Sequence, residues 1–191
     1  MPTQTKPHRM TVAEFLDWAS AQPRGRYELV HGEVVQMAPE RELHSVIKGE
    51  VYAALRDAIK RAGLPCRAYG DGMTVVINDH LAREPDASVQ CGVPYKRRNM
   101  ILQAPLIVVE VVSPSSERVD TVEKVDEYFS VTSIQHYLIV DPTAKMVTHH
   151  ERSEGGAIEK RDLLGGDIIE LKPPGMKVPV SELLPEIEWD M

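Results

Sequence analysis

The chain has 191 residues, 42% of them hydrophobic and 27% charged, the size and balance of one globular domain with a core of its own. Its formal net charge of −7 excludes a surface governed by indiscriminate phosphate attraction, although Lys96, Arg97 and Arg98 form a local basic patch. The two cysteines, Cys66 and Cys91, make no CxxC pair, and no N-terminal apolar segment has signal-peptide or membrane-span length; the expectation is a reduced, cytoplasmic protein without a disulfide, a structural zinc site or a membrane association.

Residues 1–10 are polar and aperiodic and read as a disordered N-terminus ahead of a single domain over residues 11–191. The sequence TVAE, starting at Thr11, is a capping box with Glu14 three residues on, and Phe15, Leu16 and Trp18 form the apolar side of a short helix. Residues 27–37, YELVHGEVVQM, predict a hairpin about His31-Gly32, because glycine takes the positive φ of a tight turn. Glu28 and Glu33 fall near that turn, one on each strand, as candidates for a cleft or as solvent-facing partners of nearby bases. A long helix is predicted over about residues 43–62: Ile47, Val51, Leu55 and Ile59 make one apolar stripe, and Gly63-Leu64-Pro65 is a stop signal. His44, in its first turn, is a cap, a core hydrogen-bonder or a substrate contact.

Three strands follow, at residues 66–69, 73–77 and 87–91, with Glu84-Pro85-Asp86 placing Asp86 at the mouth of the third. A polar loop over residues 92–105 carries Tyr95 and the basic triplet Lys96, Arg97 and Arg98, free to meet a phosphate backbone or to remain a solvated excursion. Residues 106–113, LIVVEVVS, have the length and β-branched character of a strand buried on both faces, with Glu110 in the middle. An ionised carboxylate buried without a partner costs several kcal/mol or takes up a proton, so this strand calls for a metal ion or a cation nearby, or for backbone donors. A helix is predicted over about residues 121–129 with Val122, Val125 and Phe129 on its core face; Asp120, Lys124 and Tyr128, four apart, share another face that can look into a site. Residues 135–140 read as a strand, residues 146–151 and 157–163 as a hairpin about Gly155-Gly156, and the proline-containing stretch 171–191 as a tail packed on the surface.

Two carboxylates at neighbouring strands, Asp86 and Glu110, are the oxygen ligands that a hard divalent cation prefers, and such a cation polarises a phosphate and lowers the pKa of a water. Lys124 can bring an ammonium to the same point from the following helix, where the plainer reading is a solvated surface lysine.

The ordered set YELVHGE (27–33), His44, EPD (84–86), APLIVVEVVSPSS (104–116), Asp120, Lys124, Tyr128 and YLIVDP (137–142) resembles the Uma2 family of restriction-endonuclease-like proteins, over about residues 11–151. That resemblance implies an α/β restriction endonuclease-like core of the PD-(D/E)XK superfamily: a mixed β-sheet flanked by helices, with an N-terminal β-hairpin and a C-terminal β-hairpin extension. The superfamily lysine ordinarily sits two residues after the second acid, where this chain has Val112; the family is described as having moved it, which matches Lys124. The resemblance assigns Asp86 and Glu110 the metal-ligand role, Lys124 the lysine role and Glu28 or Glu33 an accessory acid role. His44, Asp120 and Tyr128 match family positions. It implies a Mg²⁺- or Mn²⁺-dependent endonuclease acting on nucleic acid, DNA before RNA; the expected form is a cytoplasmic homodimer. The rival is a catalytically inactive nuclease-fold module that binds nucleic acid or protein; a hydrolase of smaller phosphate esters is a third possibility.

Overall fold

The computed structural model describes residues 9–113 and 118–186. The expected disorder of residues 1–10 falls, as far as residue 8, outside the described residues, as do most of the SPSS stretch and the end of the C-terminal tail. Met10 is in place: its N–H donates to the Gly32 carbonyl and its own carbonyl bonds the His80 ring.

The capping box forms as expected, with the Thr11 hydroxyl and the Glu14 carboxylate bonded reciprocally at the start of α1 (Val12–Ser20). β1 (Tyr27–Val30) and β2 (Glu33–Gln36) pair about a two-residue turn in which His31 (φ 51°) and Gly32 (φ 83°) are both left-handed, the type I′ geometry that fits strand twist. The glycine is required twice, since a Cβ there would lie 2.7 Å from the Arg9 side chain. α2 (Glu42–Ala62) buries Ile47, Val51, Leu55 and Ile59 and ends on Gly63 in the left-handed conformation.

β3 (Cys66–Gly70), β4 (Val75–Asn78) and β6 (Ala87–Cys91) answer to the three expected strands. Sequence reading missed β5 (Leu81–Arg83), which at three residues is too short to show a period and gains its identity from β1 and β4 on either side. β7 (Pro105–Val111) is followed, beyond Ser113, by a π-helical turn (Val119–Glu123), α3 (Lys124–Ser130) and β8 (His136–Asp141). β9 (Met146–Arg152), β10 (Ile158–Leu164), β11 (Ile168–Leu171), β12 (Met176–Pro179) and α4 (Val180–Leu183) complete the chain.

Six strands form the main sheet in the order β10-β9-β8-β7-β6-β3, mixed because β7 and β8 run parallel while the other pairs are antiparallel. A four-stranded sheet, β2-β1-β5-β4, carries the N-terminal hairpin. β7 lies inside the main sheet, so its side chains alternate between two cores. Ile107, Val109 and Val111 join α2, and Val108 joins Tyr128 and Phe129 of α3. Glu110 shares the parity of Val108 and is therefore delivered to the α3 side.

Three expectations are corrected. The stretch beginning at residue 171 is not a surface tail: β11, β12 and α4 pack on α2, with Ile169, Leu171, Met176, Val178, Val180 and Leu183 all buried. The apolar positions there do alternate, but in strands of only four residues interrupted by prolines, too short to stand out in sequence. Val122 is 61% exposed, whereas Asp120, Lys124 and Tyr128, the face expected to be open, are buried; the π turn shifts the helical register, and the polar face is drawn inward by Glu110. Cys66 and Cys91 are not free thiols, because the β3–β6 register sets them directly opposite, Cα atoms 3.9 Å apart, and a disulfide joins them. Among the described residues no helix is long and apolar enough to cross a membrane.

At the start of β8 two imidazoles, His136 and His149, are buried against each other, Nδ1 to Nε2 at 2.9 Å. Burial pushes His136 down to about 4; burial, and secondarily His136, pushes His149 down to about 3. Both are neutral in the folded protein at pH 7 and titrate near 6.5 when unfolded. A depressed folded pKa contributes stability that is present above pH 6.5 and is lost as pH falls toward about 4. Urea unfolding in metal-free buffer is expected to show on the order of 2 kcal/mol lost per imidazole between pH 7 and pH 5, and His149→Leu should flatten that dependence.

Candidate active site

Pro85 ends the approach to β6 and leaves Asp86 just before the Ala87↔Val109 pair, so the register carries Asp86 to the level of Glu110 on β7. Asp86 Oδ2 accepts the Val111 N–H at 2.8 Å, and both acids are about 5% exposed or less. Each has its own lysine. Lys124 Nζ donates to Glu110 Oε1 at 2.8 Å, and the Tyr128 hydroxyl donates to the same oxygen at 2.5 Å. Lys48, from α2, lies 3.1 Å from Asp86 Oδ1.

Around Lys124 the structure collects Asp120 Oδ1 at 3.0 Å and Glu28 Oε1 at 3.8 Å, one from its own helical face and one from β1. Arg83, on β5, bridges Glu28 at 2.9 Å and, through two nitrogens, Glu127 at 2.7 and 2.9 Å. Four carboxylates (Glu28, Glu110, Asp120, Glu127) thus face two fixed cations (Arg83, Lys124), so the acids outnumber the bases two to one. Burial pushes the Glu110 carboxyl up to about 8; Lys124 opposes the shift, and Asp86, Asp120 and Glu28 add to it. Burial works against the charge on Lys124, but Glu110, Glu28 and Asp120 outweigh it and its pKa is raised, so the side chain is a fixed ammonium. Burial, and then Glu110, raise Tyr128 well above its ordinary value, so it serves as an O–H donor.

On the Asp86 side, Lys48 also holds Asp71 at 2.6 Å and Glu40, and Arg26 ties Glu40, Asp71 and Glu84 together at 2.7 to 2.8 Å. His44 Nε2 donates to the Val111 carbonyl at 2.8 Å and stands 3.6 Å from Asp86 Oδ2. Because a carbonyl only accepts, His44 Nε2 carries a proton, and Nδ1 on the other side of the ring stands 4.0 Å from Glu40. Glu40, His44 and Asp86 each offer a ligand atom within 4.8 Å of the others, a group able to hold a metal ion.

The fold brings together Asp86, Glu110, Lys124, Glu28, His44, Asp120 and Tyr128. Glu33 is not among them: it is exposed at the turn, opposite Val30, because a two-residue turn keeps only one strand of the hairpin against the core. Lys96, Arg97 and Arg98 are exposed in the loop between the end of β6 and the start of β7. Asp86 and Glu110 lie at the opposite ends of those strands, roughly 15 Å away at about 3.3 Å per residue. Sequence reasoning missed Lys48, Arg83, Glu40 and Asp71. For Lys48 a signal was present, since it lies one helical turn after His44 and on the same face; Arg83 abuts the EPD segment but lies in the strand that was too short to recognise.

A model of a family described as "Uma2: Putative restriction endonuclease" matches residues 12–187. An uncharacterized protein of Synechocystis sp., slr1290, is 25% identical over 174 residues, covering 91% of this chain and 90% of that protein. A crystal structure from Anabaena variabilis, titled as a putative nuclease belonging to DUF820, superposes with a TM-score of 0.72 over 91% of this chain and 97% of that one, at 19% identity. At that identity the likeness shows the fold: a nuclease-like mixed α/β architecture.

Removing the Lys124 ammonium leaves Glu110, Asp120 and Glu28 buried without their shared counter-ion. Lys124→Met is expected to lower the unfolding free energy by about 3–5 kcal/mol in urea at pH 7. The double variant Lys124→Met/Glu110→Gln should lose less than the sum of its parts.

Proposed function

The chain belongs to the Uma2 family of restriction endonuclease-like proteins, and from that premise we propose that it is a divalent-metal-dependent endonuclease that hydrolyses phosphodiester bonds in DNA, with Asp86, Glu110 and Lys124 as its catalytic residues. The observation that carries this reading is the junction of Asp86, just ahead of β6, with Glu110 on the neighbouring antiparallel β7, backed by the Lys124 ammonium at 2.8 Å from Glu110. The donor set fits Mg²⁺ or Mn²⁺ because Asp86 and Glu110 offer carboxylate oxygens, the ligands such hard cations prefer. Asp86 and Glu110 would hold the ion, which when bound supplies Lewis-acid polarisation of the scissile phosphate and a more acidic water.

The remaining work falls to side chains of this chain. Lys124, kept charged by its three carboxylates, orients the attacking water and offsets negative charge growing on the phosphoryl oxygens; it does not take a proton. Glu28 and Asp120 hold that ammonium from its other sides, and Tyr128 fixes the rotamer of Glu110. His44 positions the β7 end through the Val111 carbonyl, beside Asp86. The basic loop at Lys96, Arg97 and Arg98 serves as a distal contact, since a duplex is wide enough to span the roughly 15 Å length of the β6–β7 hairpin. Two copies would associate to cut both strands.

A second reading, a binding module without catalysis, draws on a specific feature: Lys48 and the Val111 N–H already occupy both oxygens of Asp86, so the ion pairs can stand without a metal.

With Mg²⁺ or Mn²⁺ the purified protein is expected to nick or cleave DNA, and Glu110→Gln and Lys124→Gln, folded by circular dichroism, should each lose on the order of 10²–10³-fold in rate. A wild-type protein that binds DNA but cuts no nucleic acid with either ion assigns it to the second reading. Replacing Lys96, Arg97 and Arg98 by alanine should make the log–log salt dependence of DNA affinity shallower by about 0.9 for each phosphate no longer neutralised, while cleavage at saturating DNA is unchanged.

A further inference from the structure

On the other face of the main sheet, a second cluster has a different chemical character. His136 pairs with Ile107 of β7 and Glu151 of β9 in the sheet register, and His149 lies two residues from Glu151 on the same strand. Period-two alternation therefore puts His136, His149 and Glu151 on one face, the α2 side shared with Ile107. Glu110 is three residues beyond Ile107, on the opposite face and about 10 Å further along the strand.

Three features set the ligand atoms of this cluster. The Pro173 carbonyl, in the connection between β11 and β12, lies 2.8 Å from His136 Nε2 and can only accept, so Nε2 carries the proton and the Nδ1 lone pair points at His149 Nε2, 2.9 Å away. Glu151 Oε1 lies 3.8 Å from that same Nδ1, while its other oxygen is bonded by Arg161. The three ligand atoms lie within 4.8 Å of one another, and the two separations bracket the roughly 3.3 Å that tetrahedral donors about 2.0–2.1 Å from one ion impose. Both imidazoles are fully buried and neutral at pH 7, as ligands must be. Pro173 and Arg161 stand where second-layer partners orient metal-bound histidines and carboxylates. Two of the three residues, His149 and Glu151, line a cavity of about 260 Å³ together with Arg161, Glu170 and Lys172 among others, the side from which a water could complete the coordination.

We propose that His136, His149 and Glu151 form a binding site for a borderline-soft divalent transition metal of the Zn²⁺ class, separate from the carboxylate cluster on the α3 face. Two imidazole nitrogens and one carboxylate match Zn²⁺ and disfavour Mg²⁺, which demands oxygen ligands. Three protein ligands with an open fourth position make an exchangeable site rather than a closed structural one. Without metal, the His149 N–H fills the gap by donating to His136; with metal, His149 takes the tautomer protonated at Nδ1, and neither ring changes charge.

The test is Zn²⁺ titration by calorimetry, and Co²⁺ titration by visible absorption, on the full chain carrying Asp86→Asn and Glu110→Gln so that the carboxylate cluster is disabled. The expected result is one Zn²⁺ per chain, retained against a tenfold excess of Mg²⁺, with Co²⁺ showing the intense d–d bands of a tetrahedral site. Added to that background, Glu151→Gln should weaken Zn²⁺ binding at least about tenfold, and Arg161→Met by a smaller factor. His149→Gln should abolish binding; where that variant fails to fold, Glu151→Gln, at the half-buried rim, decides. Absence of a Zn²⁺ equivalent in the background protein, or an affinity that Glu151→Gln leaves unchanged, overturns the proposal and leaves the two histidines as a hydrogen-bonded pair.

Discussion

Glu110 is a carboxylate that the alternation of a central β-strand forces into a core, and much of the surrounding structure is organised to make that tolerable. An apolar side chain at this position would have packed against Val108 and Tyr128 at no electrostatic cost. Instead the protein supplies an ammonium, a phenol and a layer of further acids and bases whose partners come from β1, β5 and α3. Such a network is a costly way to build a core, because desolvation of each ion consumes most of its Coulombic return. A second buried acid, Asp86, stands beside it, and the proposed catalytic role rests on that juxtaposition.

The two acids are held differently, and the difference bears on chemistry. Glu110 meets its lysine and tyrosine through one oxygen, and burial raises its pKa to about 8. Asp86 is bracketed through both oxygens, Oδ2 by the Val111 amide and Oδ1 by Lys48. Lys48 in turn is shared with Asp71 and Glu40, which Arg26 fastens to Glu84 in the same EPD segment. The segment before Asp86 is thereby anchored from two directions. A loop aspartate needs such anchoring if its carboxylate is to meet a strand residue at a fixed separation.

Much of the fold was legible in sequence wherever a period or a turn signal was long enough to read: the α2 stripe, the His31-Gly32 hairpin and the β7 run all stand where their patterns place them. β5 and the β11–β12 hairpin were not, since short strands are specified by their neighbours rather than by their own residues. Among the site candidates, Asp86, Glu110 and Lys124 could be named because a family pattern links them across the chain. Arg83 and Lys48 could not, because whether a basic residue is buried depends on which acids the tertiary fold brings to it. The Cys66–Cys91 bond belongs to the same class: 25 residues of separation carry no information about register. The π turn is a subtler case, as helical spacing correctly grouped Asp120, Lys124 and Tyr128 on one face and put Val125 and Phe129 against the core, but could not say that the polar face also turns inward while Val122 turns out.

The consequence of Val112 standing where a strand lysine would otherwise be is structural as well as chemical. A lysine on the strand itself would be placed by period two alone, before any helix had packed. Here the Val112 N–H is committed to the Val140 carbonyl in the sheet, and the ammonium arrives only when the π turn and α3 dock. That docking is held by the same groups it positions: Lys124 and Tyr128 bond Glu110, and the Tyr137 hydroxyl bonds the Asp120 carbonyl from β8. Site assembly and closure of the α3 core are therefore one cooperative event, and any state in which α3 lifts from the sheet exposes Glu110 to water and removes its counter-charge together. Such coupling ties the geometry of the carboxylate cluster to the packing of one seven-residue helix, which Tyr128 and Tyr137, neither touching solvent, hold in place through the Glu110 carboxylate and the Asp120 backbone carbonyl.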